Sequence, residues 1–152
     1  MAKGVNMTKA IKSKFVSKFC GNSYTLDSQY ELNFAIYLDM LFERGEIMGW
    51  VKNTTRFALS EVVRYKKNFG KDMAEQKHYI PDFIVFCKDG SYKIVEIKGW
   101  QNDKNTAIKA QVLKDFANLN YEFWGRSEIL ALQKQILKEN KGSLPFGWAK
   151  IR

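Results

Sequence analysis

The sequence predicts an α/β domain, on three observations. Phe83-Ile84-Val85-Phe86 and Ile94-Val95 are short apolar runs rich in aromatic and β-branched residues, and they read as two core strands on either side of a Lys88-Asp89-Gly90 turn. Before them, Leu32, Ala35, Leu38 and Leu41, with Phe34 and Ile36 beside them, recur at helical spacing; after them, Ile108, Val112, Phe116 and Leu119 do the same. The chain is 152 residues long and 45% hydrophobic, with seven Tyr, eleven Phe and four Trp, which suffices for one folded domain with its own core.

In chain order, residues 1–22 hold Lys3, Lys9, Lys12, Lys14 and Lys18 and make a basic N-terminal arm. It reads either as a solvated arm or short helix, or as an arm that meets phosphate. No glycine- or serine-rich linker parts it from the rest, so residues 1–152 are expected to form a single domain. The first helix begins near Ser28 and stops at Gly45. Ser28-Gln29-Tyr30-Glu31 has the form of a capping box, which would commit Glu31 to the helix start. Trp50-Val51 and Phe57-Ala58-Leu59 suggest a strand leading towards the two core strands, and Val62, Val63 and Tyr65 suggest another. Arg64, Lys66, Lys67, Lys71 and Lys77 follow in a basic, glycine-containing stretch with few hydrophobic residues. This reads as a loop, either simply solvated or an excursion that contacts DNA.

Gly99 to Asp103 make a turn, with Trp100 either in the core or at the mouth of a site. A helix follows from roughly Asn105 to Leu119, capped by Asp103 or Asn105. Lys104, Lys109 and Lys114 lie off its apolar stripe, where they face DNA or are only wet. Tyr121 to Trp124 alternates as a strand, and Ser127 caps a last helix from Glu128 to about Asn140, with Ile129, Leu130, Leu132, Ile136 and Leu137 inward. The tail from Lys141, with Pro145 and Trp148, either packs back or supports a partner chain.

Composition narrows the function. Twenty-five Lys and Arg against 16 Asp and Glu give a net charge of +9, which favours a polyanionic partner, nucleic acid first. There is no run of 18 apolar residues and no apolar segment of a signal peptide, so no membrane partner and a cytoplasmic location are expected. Cys20 and Cys87 are far apart, without metal-ligand spacing, and read as free thiols of a reducing compartment. His78 is the only histidine, which excludes multi-histidine zinc and HNH-type nuclease sites. Any hydrolytic chemistry therefore runs on carboxylates and lysines.

Asp82, Glu96 and Lys98 are the candidates, because each is set in an apolar strand context where a lone charge costs several kcal/mol. Glu96 and Lys98 are two apart and point to one face of their strand, while Val95 and Ile97 point to the other, expected to be the core. A three-residue Lys88-Asp89-Gly90 loop with Gly90 left-handed sets Cys87 against Ser91 and Asp82 against Glu96. A two-residue turn would pair Asp82 with Ile97 and put the acid on the wrong face, so the longer loop is expected. Opposed Cβ atoms lie roughly 4.5–5.5 Å apart, close enough for two carboxylates to share one divalent ion. Mg²⁺ takes a few carboxylates, water and substrate phosphate, and Lys98 can hold or help deprotonate a metal-bound water. Lys93 lies on the other parity and ranks below Lys98, and Asp89 belongs to the turn.

Pro81-Asp82, a thirteen-residue spacer, and Glu96-Ile97-Lys98 resemble the motif of the PD-(D/E)XK nuclease superfamily. The resemblance spans roughly Ser28 to Gly125 and is most similar to small phage-type endonucleases, junction resolvases and related homing or DNA-processing nucleases. It implies a restriction-endonuclease-like mixed central sheet flanked by helices. It implies a Mg²⁺-dependent DNA endonuclease, with Mn²⁺ able to substitute, that is structure- or site-specific and leaves 5′-phosphate and 3′-hydroxyl ends. Asp82 and Glu96 would hold the metal, the Ile97 carbonyl could add a ligand, and Lys98 would manage the water. Glu31 matches the first-helix glutamate that completes the site in many members. Arg64, Lys66, Lys67, Lys71, Lys77, Lys104 and Lys109 are the candidate DNA contacts. A homodimer is plausible, since cutting both strands needs two sites, and the location would be the host cytoplasm for a phage-encoded chain. The other reading is a non-catalytic DNA-binding or assembly module with a nuclease-like fold; the complete acid-acid-lysine set argues against it.

Overall fold

Strands and helices share the chain, as expected of the α/β class, in a computed structural model that describes residues 13–52, 56–67, 70–75, 78–98, 103–117 and 120–151. The chain divides into two compact units, Met1–Glu46 with Ser127–Arg152, and Ile47–Arg126. Among the described residues no helix is long and apolar enough to cross a membrane.

In the first unit, β1 (Ser13–Val16) and β2 (Ser23–Leu26) form an antiparallel hairpin pairing Ser13 with Leu26 and Val16 with Ser23. The described end of the basic arm is thus strand and turn rather than helix. Lys18 ties it down: its amide donates to the Asp39 carboxylate and its ammonium meets Glu43 at 2.9 Å. Helix α1 (Gln29–Glu43) starts at Ser28, whose hydroxyl accepts from Glu31 N–H at 3.1 Å. It ends in a Schellman motif, with Gly45 at φ +72°, Gly45 N–H on the Phe42 carbonyl and Glu46 N–H on that of Leu41. Both ends fall where local sequence chemistry predicts them.

Helix α3 (Arg126–Glu139) starts two residues before the position expected from Ser127, and it buries Ile129, Leu132 and Ile136. The tail packs back onto this unit through two buried amides. Asn33 exchanges hydrogen bonds with Ala149, giving to its carbonyl at 2.7 Å and accepting from its N–H at 2.8 Å. Gln133 does the same with Ile151 and also accepts from the Trp148 indole.

The second unit holds a four-stranded mixed sheet in the order β10 (Asn120–Trp124), β9 (Tyr92–Ile97), β8 (Phe83–Cys87), β3 (Ile47–Lys52). The β3–β8 and β8–β9 pairs are antiparallel. The β9–β10 pair is parallel, and helix α2 (Asp103–Asp115) makes the crossover that a parallel pair needs. One face of the sheet carries Trp50, Phe83, Val85 and Val95, all fully buried. Towards the opposite face, Leu59, Val63, Tyr79 and Val112 form a second cluster, packed by Ile108, Phe116 and Tyr121. Val95 and Ile97 are buried as expected, and Ile94 and Glu96 are buried too, because α2 and its neighbours cover the face that would otherwise meet water.

Two further expectations change. The apolar residues around Trp50 and Phe57 belong to two strands, β3 and β4 (Phe57–Ala58), and β4 pairs with β7 (His78–Tyr79) rather than joining the main sheet. The basic stretch, expected as a loop, forms a hairpin, β5 (Val63–Lys67) with β6 (Lys71–Glu75). Its alternation is legible afterwards: Val63 and Tyr65 bury towards α2 while Arg64 and Lys66 stay exposed.

Candidate active site

The Lys88-Asp89-Gly90 turn sets the register on which the site depends. Cys87 N–H donates to the Ser91 carbonyl at 2.8 Å, Gly90 N–H donates to the Cys87 carbonyl at 3.1 Å, and Gly90 sits at φ +85°, which only glycine adopts without cost. Asp89 closes the loop by accepting from Ser91, whose hydroxyl holds the Asp89 carboxyl below its ordinary pKa. The strands then pair Phe86 with Tyr92, Ile84 with Ile94 and Phe83 with Val95. One position further, that register sets Asp82 against Glu96, as the three-residue loop requires.

The ladder itself stops at Phe83. Pro81 has no amide hydrogen to continue it, and at Asp82 the side chain takes over. Asp82 N–H donates to the Val95 carbonyl at 3.0 Å, and its Oδ2 accepts from Ile97 N–H at 2.6 Å. Asp82 therefore has a structural role besides any chemical one. Removing its carboxylate leaves the amide of a buried residue short of an acceptor, a cost of about 1–3 kcal/mol that opposes any gain from relieved charge repulsion.

Glu96 is 3% exposed, and it keeps partners on both oxygens. Lys98 Nζ lies 2.9 Å from Oε1, on the face that their two-residue spacing predicts. The Tyr79 hydroxyl lies 2.9 Å from Oε2, and the Tyr121 hydroxyl lies 3.0 Å from that of Tyr79. Burial in the first place, and then the Glu96 charge, push the Tyr79 phenol far above its ordinary pKa, so it remains a donor. Burial also raises Tyr121, as do the charges of both Glu96 and Asp82. The two acids thus act on one hydroxyl.

Glu96, Lys98 and the two tyrosines open onto a cleft of about 220 Å³, also lined by His78, Lys109 and Phe123, while Asp82 is outside its lining. Phe123 neighbours Glu96 in the β9–β10 register, and Lys109 of α2 stands 4.5 Å from the centre of its ring, a cation–π contact within the cleft lining. Sequence reasoning missed Tyr79, Tyr121 and Phe123 as parts of the site. Strand parity could have found the last two, since a parallel β10 sets Tyr121 beside Ile94 and Phe123 beside Glu96.

Glu31, in the first unit, is buried and accepts from Asp27 N–H at 3.0 Å, a capping contact one residue further back than the usual box. Lys93 pairs with Glu122 at 3.2 Å. Arg64 and Lys66 lie exposed on the wet face of the β5–β6 hairpin, with Lys71 exposed where the hairpin ends. Lys77 and Trp100 lie outside the described residues, as do the side chains of Lys67, Asp103 and Lys104.

Among the described residues no three His, Cys, Asp or Glu side chains gather round one point. The candidate ligands are a pair, Asp82 and Glu96. Their donor chemistry fits Mg²⁺, which takes hard oxygens, commonly one or two carboxylates, and completes its shell with water and substrate phosphate.

The profile of one protein family matches residues 12–131, which include Glu31, the cleft, the hairpin and α2; the family is described as "Protein of unknown function (DUF1064)". No curated protein matches the chain.

Proposed function

The chain belongs to the DUF1064 family, and we propose that it is a Mg²⁺-dependent DNA endonuclease of the PD-(D/E)XK kind, structure- or site-specific, acting on phosphodiester bonds to leave 5′-phosphate ends. One observation carries this reading: a buried carboxylate, Glu96, is paired with Lys98 at 2.9 Å in an open cleft, one strand away from Asp82. A purely structural ion pair has no need of a cleft. Asp82 and Glu96, with the Ile97 carbonyl, would hold the metal, which when bound neutralises phosphate charge and acidifies water.

The chain's own groups supply the rest. Lys98 is 39% exposed on its side chain, so its ammonium can meet a water molecule or a phosphate oxygen while Glu96 orients it. Lys109, steadied over Phe123, adds a second cation at the cleft to grip the backbone. The exposed Arg64 and Lys66 of the hairpin contact phosphates further along the duplex. Water adds to phosphorus, the bond to the 3′ oxygen breaks, and the proton lost by water ends on that oxygen. The net charge of +9 favours the encounter with DNA.

The test is cleavage of supercoiled, linear, flapped and four-way-junction DNA in Mg²⁺ against EDTA. Cutting is expected in Mg²⁺ alone. Lys98→Ala is expected to lower the rate roughly 10²–10⁴-fold with DNA affinity kept. A wild type that binds DNA but cuts none of the four substrates would identify a non-catalytic module, and an Asp82→Ala variant cutting at the normal rate would remove the assigned site.

A further inference from the structure

We infer that Tyr79 is a positioning residue that fixes the carboxylate plane of Glu96 for a divalent cation, with Tyr121 as its support. The inference rests on the nuclease reading and deepens it. The last torsion of a glutamate is soft and broad, so a lone Glu96 would present its oxygens in many orientations. Here each oxygen has its own donor, from a different part of the fold: Lys98 on Oε1 and Tyr79 on Oε2, both at 2.9 Å. Two donors on the two oxygens stop the rotation.

Tyr79 reaches Glu96 from β7, outside the β8–β9 hairpin, and is itself 7% exposed. Its ring packs edge-on against Tyr121, with centres 6.0 Å apart, within the cluster of Leu59, Val63 and Val112. A phenol has one proton, and Tyr79 lies within reach of two acceptors. The carboxylate is the stronger, so Tyr79 gives its proton to Glu96 and takes one from Tyr121, 3.0 Å away. The resulting chain, Tyr121 to Tyr79 to Glu96, polarises along its length. A phenylalanine at position 79 would fill the same apolar space. The hydroxyl is needed only if the carboxylate must be held.

The probe is Mn²⁺, whose binding to the full chain is followed by loss of its free-ion paramagnetic resonance signal, alongside cleavage kinetics over a Mn²⁺ titration. Tyr79→Phe is expected to weaken Mn²⁺ binding about 10–100-fold. It should raise the Mn²⁺ needed for half-maximal cleavage by the same factor, with kcat at saturating metal and Kd for DNA little changed. Tyr121→Phe is expected to shift the affinity in the same direction by less. A merely structural tyrosine would lower the thermal midpoint of the metal-free protein and leave Mn²⁺ affinity alone; that result overturns the inference. Should Tyr79→Phe fail to fold, Tyr121→Phe decides, since wild-type affinity there overturns the inference and weakened affinity supports it. A wild type that takes up no Mn²⁺, or a Glu96→Ala variant that takes it up normally, overturns the nuclease site and the inference with it. Uptake lost in Glu96→Ala but unchanged in Tyr79→Phe overturns the role of the tyrosine alone.

Discussion

Glu31 and Glu96 are both buried acids, and each takes part in local structure. Glu31 accepts from a backbone amide, that of Asp27, and its own amide is taken by Ser28, which are the contacts of a helix start. Glu96 is held by two side chains, one of them a lysine in the cleft. Glu31→Gln keeps an acceptor for Asp27 and loses a charge at a helix N-terminus, so it is expected to cost about 0.5–1 kcal/mol in urea unfolding with turnover unchanged. Turnover lost with stability intact would return Glu31 to the ligand set that the superfamily resemblance implies. The Glu96–Lys98 pairing was legible beforehand because parity along a strand is a local property. The two tyrosines were not, since Tyr79 meets Glu96 across 17 positions and Tyr121 across 42, through packing that no short window contains.

At the scale of elements, α2 is clamped to the segment before β5 by the half-buried Asp115 carboxylate, with Gln111 on Ser60 and Lys114 on Glu61 beside it. Asp115 accepts from the amide and the hydroxyl of Ser60 at 2.7 and 2.6 Å, and the hydroxyl contact first of all lowers its pKa. A carboxyl depressed in the folded state contributes stability that is fully present above its unfolded pKa, about 3.9, and is lost as pH falls through the folded value. Ser60→Ala should therefore have a lower urea midpoint than wild type at pH 7, and the gap should close as pH drops below about 4. A gap that persists at pH 2.5 would assign the effect to something other than Asp115. The β8–β9 turn was readable because Asp-Gly chemistry dictates its geometry. The β5–β6 hairpin was not, because its strands are nearly all polar on the wet face and their apolar positions are few.

At the scale of the whole molecule, the proposed endonuclease would meet DNA through its charge. With a net charge of +9, binding should weaken steeply with salt through release of counterions from the phosphates. Replacing Arg64 and Lys66 together by Ala should reduce the slope of log affinity against log salt by about 2 and weaken all sequences alike. An unchanged slope would take the hairpin off the interface.

The sequence by itself determined the α/β class, the ends of α1, the three-residue turn and the strand face shared by Glu96 and Lys98. Each of these follows from residues within a few positions of one another, where dihedral preference and side-chain period act directly. Tertiary structure alone decided that both faces of β9 are buried and that two tyrosines back Glu96. It also decided that the amides of Asn33 and Gln133 seize the tail at Ala149 and Ile151. Those contacts depend on which elements come to lie against one another, and burial assigns a polar side chain its partner only once they do.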